Sequence, residues 1–413
     1  MAQIKDNSLL LAEYTLLRLI RENGPVSQVR LSELSGYSRS TVSINCEKLL
    51  QAELIVPDRD ISSSKKKNAE LSINGDIGLI IGIGMGGSSC KIIICNLTSE
   101  ILSSQSIPID LAVGPEPILQ KICSTINDLL LHVNQQKNLP ILGIGIGLPT
   151  PINYEKGVAY HPAFMPGWHL FPVKDYMSKR YSCHTFVDNE VNAMALAEFE
   201  EFKDEYSTLL CVKVGTGIGA GIIIDRKIYR GENGGGGNIG HIQVEGDSTQ
   251  CACGKQGCIE AVASVPAVLQ QATEVAISKK DSLLHALFNQ RNQEHLQLSL
   301  HDLKDAADRG DRGALQIIKE AGLRLGTIVG KMLIFLDPGI LIISGRLTIL
   351  GPNYLDYIRK AVYKQASPWI GPDFQVIYSR FGDESAAKGA ALLCIQEIFA
   401  HNYIMELNES SSP

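Results

Sequence analysis

The sequence predicts an α/β protein in which an N-terminal winged helix-turn-helix precedes a two-lobed α/β region. Three helical segments and a short hairpin come before residue 77, and two strand–glycine turn–strand units follow far apart in the chain. A chain of 413 residues is too long to fold around one hydrophobic core of ordinary size. We expect a first domain over 1–76, a first lobe over 77–195 with a C-terminal helix over 385–405, a second lobe over 196–384 and a flexible tail over 406–413.

The composition is typical of a globular protein from a reducing compartment. Hydrophobic residues make up 45% and charged residues 20% of the chain. No apolar run approaches the roughly 18 residues of a membrane helix, so we expect a cytoplasmic protein without a membrane partner. Ten cysteines in so long a chain do not form a disulfide framework. The net charge of -6 excludes a protein that coats nucleic acid over its whole surface, so any DNA contact must be local.

The first three helices are bounded by caps and turn residues. A helical stripe ends at Asn23, where Gly and Pro follow. Ser27 is a suitable N-cap for a second helix over 28–35, whose Val29 is expected to face inward with two leucines. A third helix is predicted over 38–51, and the segments around it alternate like a hairpin with a lysine-rich tip.

The third helix presents the residue types that read DNA. Short hydroxyl and amide side chains with an Arg suit base edges and phosphates of a major groove, and lysines at a wing tip suit phosphate or the minor groove. The alternatives are a solvated helix in a small dimerisation module and a solvated lysine loop. The candidate DNA-binding residues are Ser38, Arg39, Ser40, Thr41, Ser43, Asn45, Lys48, Lys65, Lys66 and Lys67.

Two glycine-rich turns each join a pair of apolar strands, which predicts an internally duplicated α/β protein. One follows the strand over 79–84, and the other follows the strand over 209–214. Such turns expose backbone N–H groups that can cradle phosphate oxygens, although many merely connect strands. The pair predicts two lobes that face each other across a cleft, with Gly86, Gly87, Gly215, Thr216 and Gly217 as remnants of phosphate loops.

Four metal-ligand side chains lie close together after the second turn. They are His241, Cys251, Cys253 and Cys258. A lone His or a Cys-x-Cys pair proves little, but four such ligands in a glycine-rich segment predict a tetrahedral zinc site. Because no coordination position stays open, we expect Zn²⁺ to shape the loop rather than catalyse.

These motifs resemble the ROK group of bacterial sugar kinases and sugar-responsive repressors over nearly the whole chain. The resemblance lies in the first glycine turn, the Gly143–Pro149 and Val187–Ala193 segments, the second turn, and Gly240-His241 leading to Cys251–Glu260. It implies an actin-like ATPase (ribonuclease H-like) sugar-kinase fold with a sugar in the cleft. With its N-terminal winged helix-turn-helix, the chain resembles the xylose and N-acetylglucosamine repressors rather than the free-standing glucokinases.

The resemblance also assigns roles to individual positions. The catalytic Asp of the kinases falls on Glu190, and an acid of the first glycine turn is replaced by Gly84. A shift of the base by about 1 Å can cost roughly a hundredfold in rate, so no catalytic residue is predicted and Glu190 is interpreted as a degenerate base. The implied sugar-binding residues are Asn189, Glu190, Asn238, His241 and Glu260, while helix capping is the alternative for the 189–192 segment.

The sequence therefore favours a sugar-responsive DNA-binding regulator, a repressor of carbohydrate-use genes, over an enzyme. Its expected partners are operator DNA, a sugar or sugar phosphate, and copies of itself in a homodimer or homotetramer. Two alternatives stay open: an active ATP-dependent sugar kinase that carries a DNA-binding domain, and a regulator controlled by a protein partner.

Overall fold

The computed structural model describes residues 7–58, 70–134, 139–160, 162, 165–368, 370–401 and 403, with the backbone alone for 7–10. The predicted lysine-rich tip, Lys65 to Lys67, and the predicted tail, 406–413, lie outside these residues. Within the described part, no helix has both the length and the apolar character that crossing a membrane requires.

The N-terminal region forms the predicted three helices and hairpin: α1 (Asn7–Asn23), α2 (Gln28–Ser35), α3 (Arg39–Gln51), β1 (Ile55–Pro57) and β2 (Leu71–Ile73). Strands β1 and β2 pair antiparallel. The Oγ of Ser27 accepts a hydrogen bond from the N–H of Arg30, which caps α2 as predicted. The inward orientation predicted for Val29 is wrong, because this residue is 46% exposed and Leu31 alone of α2 is fully buried.

The first five-stranded sheet has the order β5-β4-β3-β6-β9. Strands β3 to β5 pair antiparallel, whereas β3, β6 and β9 run parallel. A short β7–β8 pair lies between β6 and β9 in the chain, α4 packs on β4 and β5, and α5 packs on β9. The elements are β3 (Leu79–Met85), β4 (Ser89–Cys95), β5 (Ile101–Pro108), α4 (Pro115–Asn134), β6 (Ile141–Leu148), β7 (Ile152–Asn153), β8 (Val158–Ala159), α5 (Val173–Tyr181) and β9 (His184–Asn189).

The second sheet repeats this plan in the order β12-β11-β10-β13-β14, with an antiparallel hairpin followed by parallel strands. This repetition confirms the predicted duplication. Helices α7 to α12 accompany it, and α11 ends just before Asp337. The elements are β10 (Leu209–Val214), β11 (Ile218–Ile224), β12 (Lys227–Ile228), α7 (Ile259–Ala263), α8 (Val265–Ser278), α9 (Leu283–Gln293), α10 (Leu300–Asp308), α11 (Arg312–Leu336), β13 (Ile340–Ser344), α12 (Pro352–Ala366) and β14 (Gln375–Tyr378).

Two helices, α6 (Glu190–Phe202) and α13 (Ser385–Ala400), pack against each other and contact the sheets. Helix α6 contacts strands of both sheets, and α13 lies on β3 and β6. Glycines on β6 and α13 allow the backbones of neighbouring elements to approach each other unusually closely. A methyl group at Gly145 would lie 1.7 Å from the carbonyl oxygen of Ala390, and one at Gly389 would lie 1.6 Å from that of Ala193. The backbones of α13, α6 and β6 are therefore in direct contact.

The N-terminal domain is joined to α13 by a continuous apolar core. Buried side chains of α1, including Leu16 and Ile20, share one cluster with Ile395 and Phe399 of α13 and with residues of β3 and β4. The Tyr14 hydroxyl donates a hydrogen bond of 2.8 Å to the Ala400 carbonyl. A shared core of this kind resists independent movement of the two parts.

Candidate functional site

The two glycine turns lie against each other. The first turn joins β3 to β4, and the second joins β10 to β11. A methyl group at Gly87 would lie only 2.7 Å from the Thr216 Oγ1. In the second turn the N–H of Gly215 donates to the carbonyl of Gly217 at 2.9 Å. The structure thus brings the predicted phosphate-loop remnants of both lobes to one place.

A buried ion pair lies beside these turns. Glu190, the first residue of α6, is 5% exposed, and its Oε2 accepts a hydrogen bond from Lys213 Nζ at 2.5 Å. Its other oxygen points at the first turn, 3.5 Å from where a methyl group at Gly86 would lie. Sequence reasoning missed Lys213. Its position inside the apolar strand β10 was the available signal, because a charge in a buried strand requires a partner.

Asn189 caps α6. Its Oδ1 accepts from the N–H of Val191 at 2.8 Å and from that of Asn192 at 3.4 Å, and its Nδ2 donates to the Thr150 carbonyl at 2.9 Å. Asn189 is one of the residues predicted to bind a sugar, and its amide oxygen is already engaged with the helix N-terminus, so one N–H of the amide is left for a ligand. Asn238 is exposed at the start of the short 3₁₀ helix Ile239–His241.

A second polar network, also missed from the sequence, connects the lobes. Asp188 is buried, and its Oδ2 accepts from Arg230 Nε at 2.8 Å. The Arg230 guanidinium lies 3.8 Å from the ring centroid of Tyr154, whose hydroxyl donates to Glu397 of α13 at 2.6 Å. Burial and the hydrogen bond to this carboxylate raise the pKa of Tyr154 well above its usual range. The network links the segment after β12 to the end of α13.

Glu260 of α7 connects the metal-ligand segment to the second turn. Its Oε2 accepts a hydrogen bond of 2.9 Å from the N–H of Ile218. Methyl groups at Gly217 and Gly240 would lie 2.8 Å and 3.0 Å from that oxygen. The carboxylate therefore fills the space between the turn and the residue that precedes His241.

The four predicted metal ligands converge. Their ligand atoms all lie within 4.8 Å of one another. The Cys251 Sγ is 3.8 Å from the His241 Nδ1, and the Cys253 Sγ is 3.7 Å from the Cys258 Sγ. Tetrahedral zinc with Zn–S near 2.3 Å and Zn–N near 2.0 Å separates such ligands by about 3.5–3.8 Å. The donor set and its spacing fit a metal ion of this kind.

The cysteines differ in their acidity. A hydrogen bond from the Lys255 N–H lowers the pKa of the exposed Cys253 thiol. Burial raises the pKa of Cys258 to about 12, with hydrogen bonds to the neighbouring cysteines adding to the effect. A bound cation would favour the thiolate form of Cys258.

Helix α3 exposes part of the predicted DNA-binding surface. Arg39, Ser40 and Ser43 are exposed. Ser38 is also exposed, and its Oγ caps the helix by accepting from the N–H of Thr41. The Lys48 Nζ is 2.6 Å from Glu13 Oε1, so this lysine is held within the domain.

The exposure predicted for Asn45 is wrong. Asn45 is only 1% exposed, because positions 42, 45, 46 and 49 share the face of α3 that packs on the core. Its Nδ2 donates to the Thr41 carbonyl. Ile44, which sequence reasoning missed, is 55% exposed beside Ser40 and Ser43, and an apolar side chain there suits a thymine methyl group.

Comparisons with known proteins agree with this architecture. A model described as winged helix-turn-helix DNA-binding matches residues 12–56. The chain belongs to the ROK family, whose model matches residues 80–397. Because the chain contains both a DNA-binding domain and a ROK region, it is a ROK-family transcriptional regulator.

The relatives of this chain include both a repressor and a sugar kinase. The chain is 26% identical to the xylose repressor of Caldicellulosiruptor bescii over 93% of its length and 95% of that protein. It is 30% identical to the glucokinase of Halalkalibacterium halodurans over 77% of its length and 95% of the enzyme. The fold matches the crystal structure of a ROK family transcriptional regulator, a homolog of the E. coli MLC protein, with a TM-score of 0.82, 24% identity, and coverage of 98% and 100% of the two chains.

We predict about one zinc ion per chain, bound by the four clustered ligands. Cys253→Ser should release it, because a hydroxyl is a poor zinc ligand and one of four bonds is lost. Metal analysis of protein purified without chelator checks this. Cys183→Ser, at a cysteine outside the cluster, should retain the metal. Wild-type protein without zinc would contradict the prediction.

We also predict that Arg39→Ala weakens operator binding by about 1–3 kcal/mol and relaxes sequence preference. Replacing Lys65, Lys66 and Lys67 together should weaken binding to all sequences and flatten its salt dependence. Fluorescence anisotropy on a duplex recovered by in vitro selection measures both effects. The matched control is Arg309→Ala, at an exposed arginine on α10's C-terminal cap. Equal losses in Arg39→Ala and the control would refute the assignment of α3.

Proposed function

We propose that this regulator is a sugar-responsive repressor whose cleft binds a sugar without phosphorylating it. One observation carries the proposal: the DNA-binding domain is fused to a ROK region whose family base position, Glu190, is bonded to Lys213. Similarity to a xylose repressor over nearly the full length supports a carbohydrate signal. The proposed divisions are a DNA-binding domain over 1–76 and lobes over 77–195 and 196–384, with the C-terminal helix belonging to the first lobe.

The proposed sugar site uses Asn189, Glu190, Asn238, His241 and Glu260. Carboxylate and amide groups accept and donate the hydrogen bonds that sugar hydroxyls require. Glu260 is fixed to Ile218 and lies two residues after Cys258. Zn²⁺ on His241 and the three cysteines would brace the loop, which holds Glu260 in position.

Three features argue against phosphoryl transfer. The Glu190 Oε2 accepts a hydrogen bond from the Lys213 ammonium, so this oxygen is already engaged and is not free to accept a hydrogen bond from a sugar hydroxyl. Glu is longer than the Asp of the family's kinases, which displaces the carboxylate. The third feature is the missing acid at position 84. Gly84 leaves no space for a side chain, since even a methyl group there would lie 2.6 Å from the Ala387 backbone nitrogen. We propose that the cleft is not catalytic.

The second candidate function is a sugar kinase that carries a DNA-binding domain. The 30% identity to a glucokinase favours it. Sugar-dependent ATP consumption discriminates the two functions, because a repressor needs only the bound sugar.

The signal can travel along a contiguous path. Helix α6 begins at Glu190, packs on α13 and bonds to it through Glu198, which accepts from the Ser385 hydroxyl. Helix α13 in turn shares its core with α1 of the DNA-binding domain. We propose that sugar shifts the population of lobe arrangements and so changes the separation of the DNA readers in a homodimer or homotetramer. The operator is then an imperfect palindrome with half-sites about one helical turn, or a multiple, apart.

The proposal predicts that an effector sugar raises the dissociation constant for operator DNA. A thermal-shift screen first finds the sugar, since a ligand at about 100 times its Kd adds roughly 2.7 kcal/mol to the free energy of unfolding. Anisotropy titrations with and without that sugar then measure operator affinity. Unchanged affinity at saturating sugar would refute the inducer mechanism, and the absence of DNA binding would refute the repressor.

We further predict negligible sugar phosphorylation, both in the wild type and in Glu190→Asp. The single change leaves Lys213 in place and cannot restore an acid at position 84. A coupled ATP-consumption assay with the sugar found by thermal shift checks this. Turnover near 1 per second, at the low end of typical kinases, would favour the enzyme instead.

A further inference from the structure

We infer that the effector of this cleft is an uncharged, unphosphorylated sugar rather than a sugar phosphate. The inference rests on the proposed function and names the class of ligand for the same site. It depends on three observations: the balance of charge at the glycine turns, the state of their backbone donors, and the contact between them.

The charged groups beside the turns leave one surplus negative charge. The ammonium of Lys213 is bonded to Glu190 at 2.5 Å, and both side chains are largely buried. Glu260 lies at the second turn and has no ion pair within the described part of the chain. A phosphate ester carries about -1.5 to -2 charges at neutral pH, so it would enter a site whose cation is already neutralised. Like charges in a largely buried site repel strongly because screening by water is weak there.

Three of the backbone N–H groups at the turns already have acceptors. The Ile218 N–H donates to the Glu260 carboxylate at 2.9 Å, so this anion takes a donor of the second turn. The N–H of Gly215 donates to Gly217, and that of Gly86 donates to the Ser89 carbonyl at 2.8 Å. A phosphate that accepted from these three N–H groups would have to displace the existing bonds.

The turns also leave no gap for a phosphate between Gly87 and Thr216. The Thr216 Oγ1 lies 2.7 Å from the position of a methyl group on Gly87, so these residues are close to van der Waals contact. A neutral sugar avoids all three obstacles. Its hydroxyls can donate to the carboxylates of Glu190 and Glu260, which makes the surplus acceptors favourable.

Isothermal titration calorimetry of the full-length protein tests the inference. The probes are glucose against glucose 6-phosphate, N-acetylglucosamine against N-acetylglucosamine 6-phosphate, and xylose against xylose 5-phosphate. We expect one free sugar to bind at least about 100-fold more tightly than its phosphate. A phosphate that binds as tightly as its free sugar, or more tightly, overturns the inference.

A charge variant supplies a second readout. Glu190→Gln keeps a side chain of similar shape but frees the Lys213 ammonium, so the preference for the free sugar should fall about tenfold or more. Glu116→Gln, at an exposed position on α4, should leave the preference unchanged. An unchanged preference in Glu190→Gln overturns the electrostatic argument.

Measurements of operator binding distinguish a failure of the inference from a failure of the proposed function. If a sugar phosphate binds and releases operator DNA, the inference fails while the proposed function stands. If no probe in either form binds and none changes DNA affinity, the proposed function fails and the inference falls with it.

Discussion

The direct backbone contact between α13 and its neighbours is the constraint on which the arrangement of this protein depends. Gly145 on β6 and Gly389 on α13 leave no room for a side chain, because carbonyl oxygens of Ala390 and Ala193 occupy the space that a methyl group would take. Packed interiors transmit displacement rather than absorb it. A helix held this closely to a sheet and to α6 positions the N-terminal domain on one side and the start of α6, at Glu190, on the other.

The packing of α13 against the first sheet also affects which side chains the cleft can contain. Gly84 lies where ROK kinases are expected to carry an acid, and the first turn of α13 closes over it. Glu190, which we propose occupies the base position of the family's kinases, has its carboxylate bonded to Lys213. Both ions of the pair are largely desolvated, and removing one partner of such a pair typically costs about 3–5 kcal/mol. We propose that a site arranged in this way binds a ligand without converting it, as a sensor requires.

Local patterns in the sequence predicted the local features well, whereas long-range contacts had to come from the structure. Helical periodicity and capping residues placed α2 and α3, and the spacing of His241 and the cysteines identified a cluster that converges in space. Asn45 was assigned to the wrong face because residue type, rather than its position on the helical stripe, decided the prediction. Partners from separate elements, such as Lys213 for Glu190 and Arg230 for Asp188, cannot be matched to each other from either position alone. Only the unusual placement of a lysine in an apolar strand hinted at a partner.

We propose that the cleft and the DNA-binding domain are coupled through α6 and α13. Coupling between two binding sites is reciprocal, so it can be measured from the sugar side. The most direct measurement is the affinity for the effector sugar by calorimetry, with the protein free and saturated with operator DNA. The account predicts that operator DNA weakens sugar binding by the same factor by which the sugar weakens DNA binding. Equal sugar affinities in the two states would contradict it.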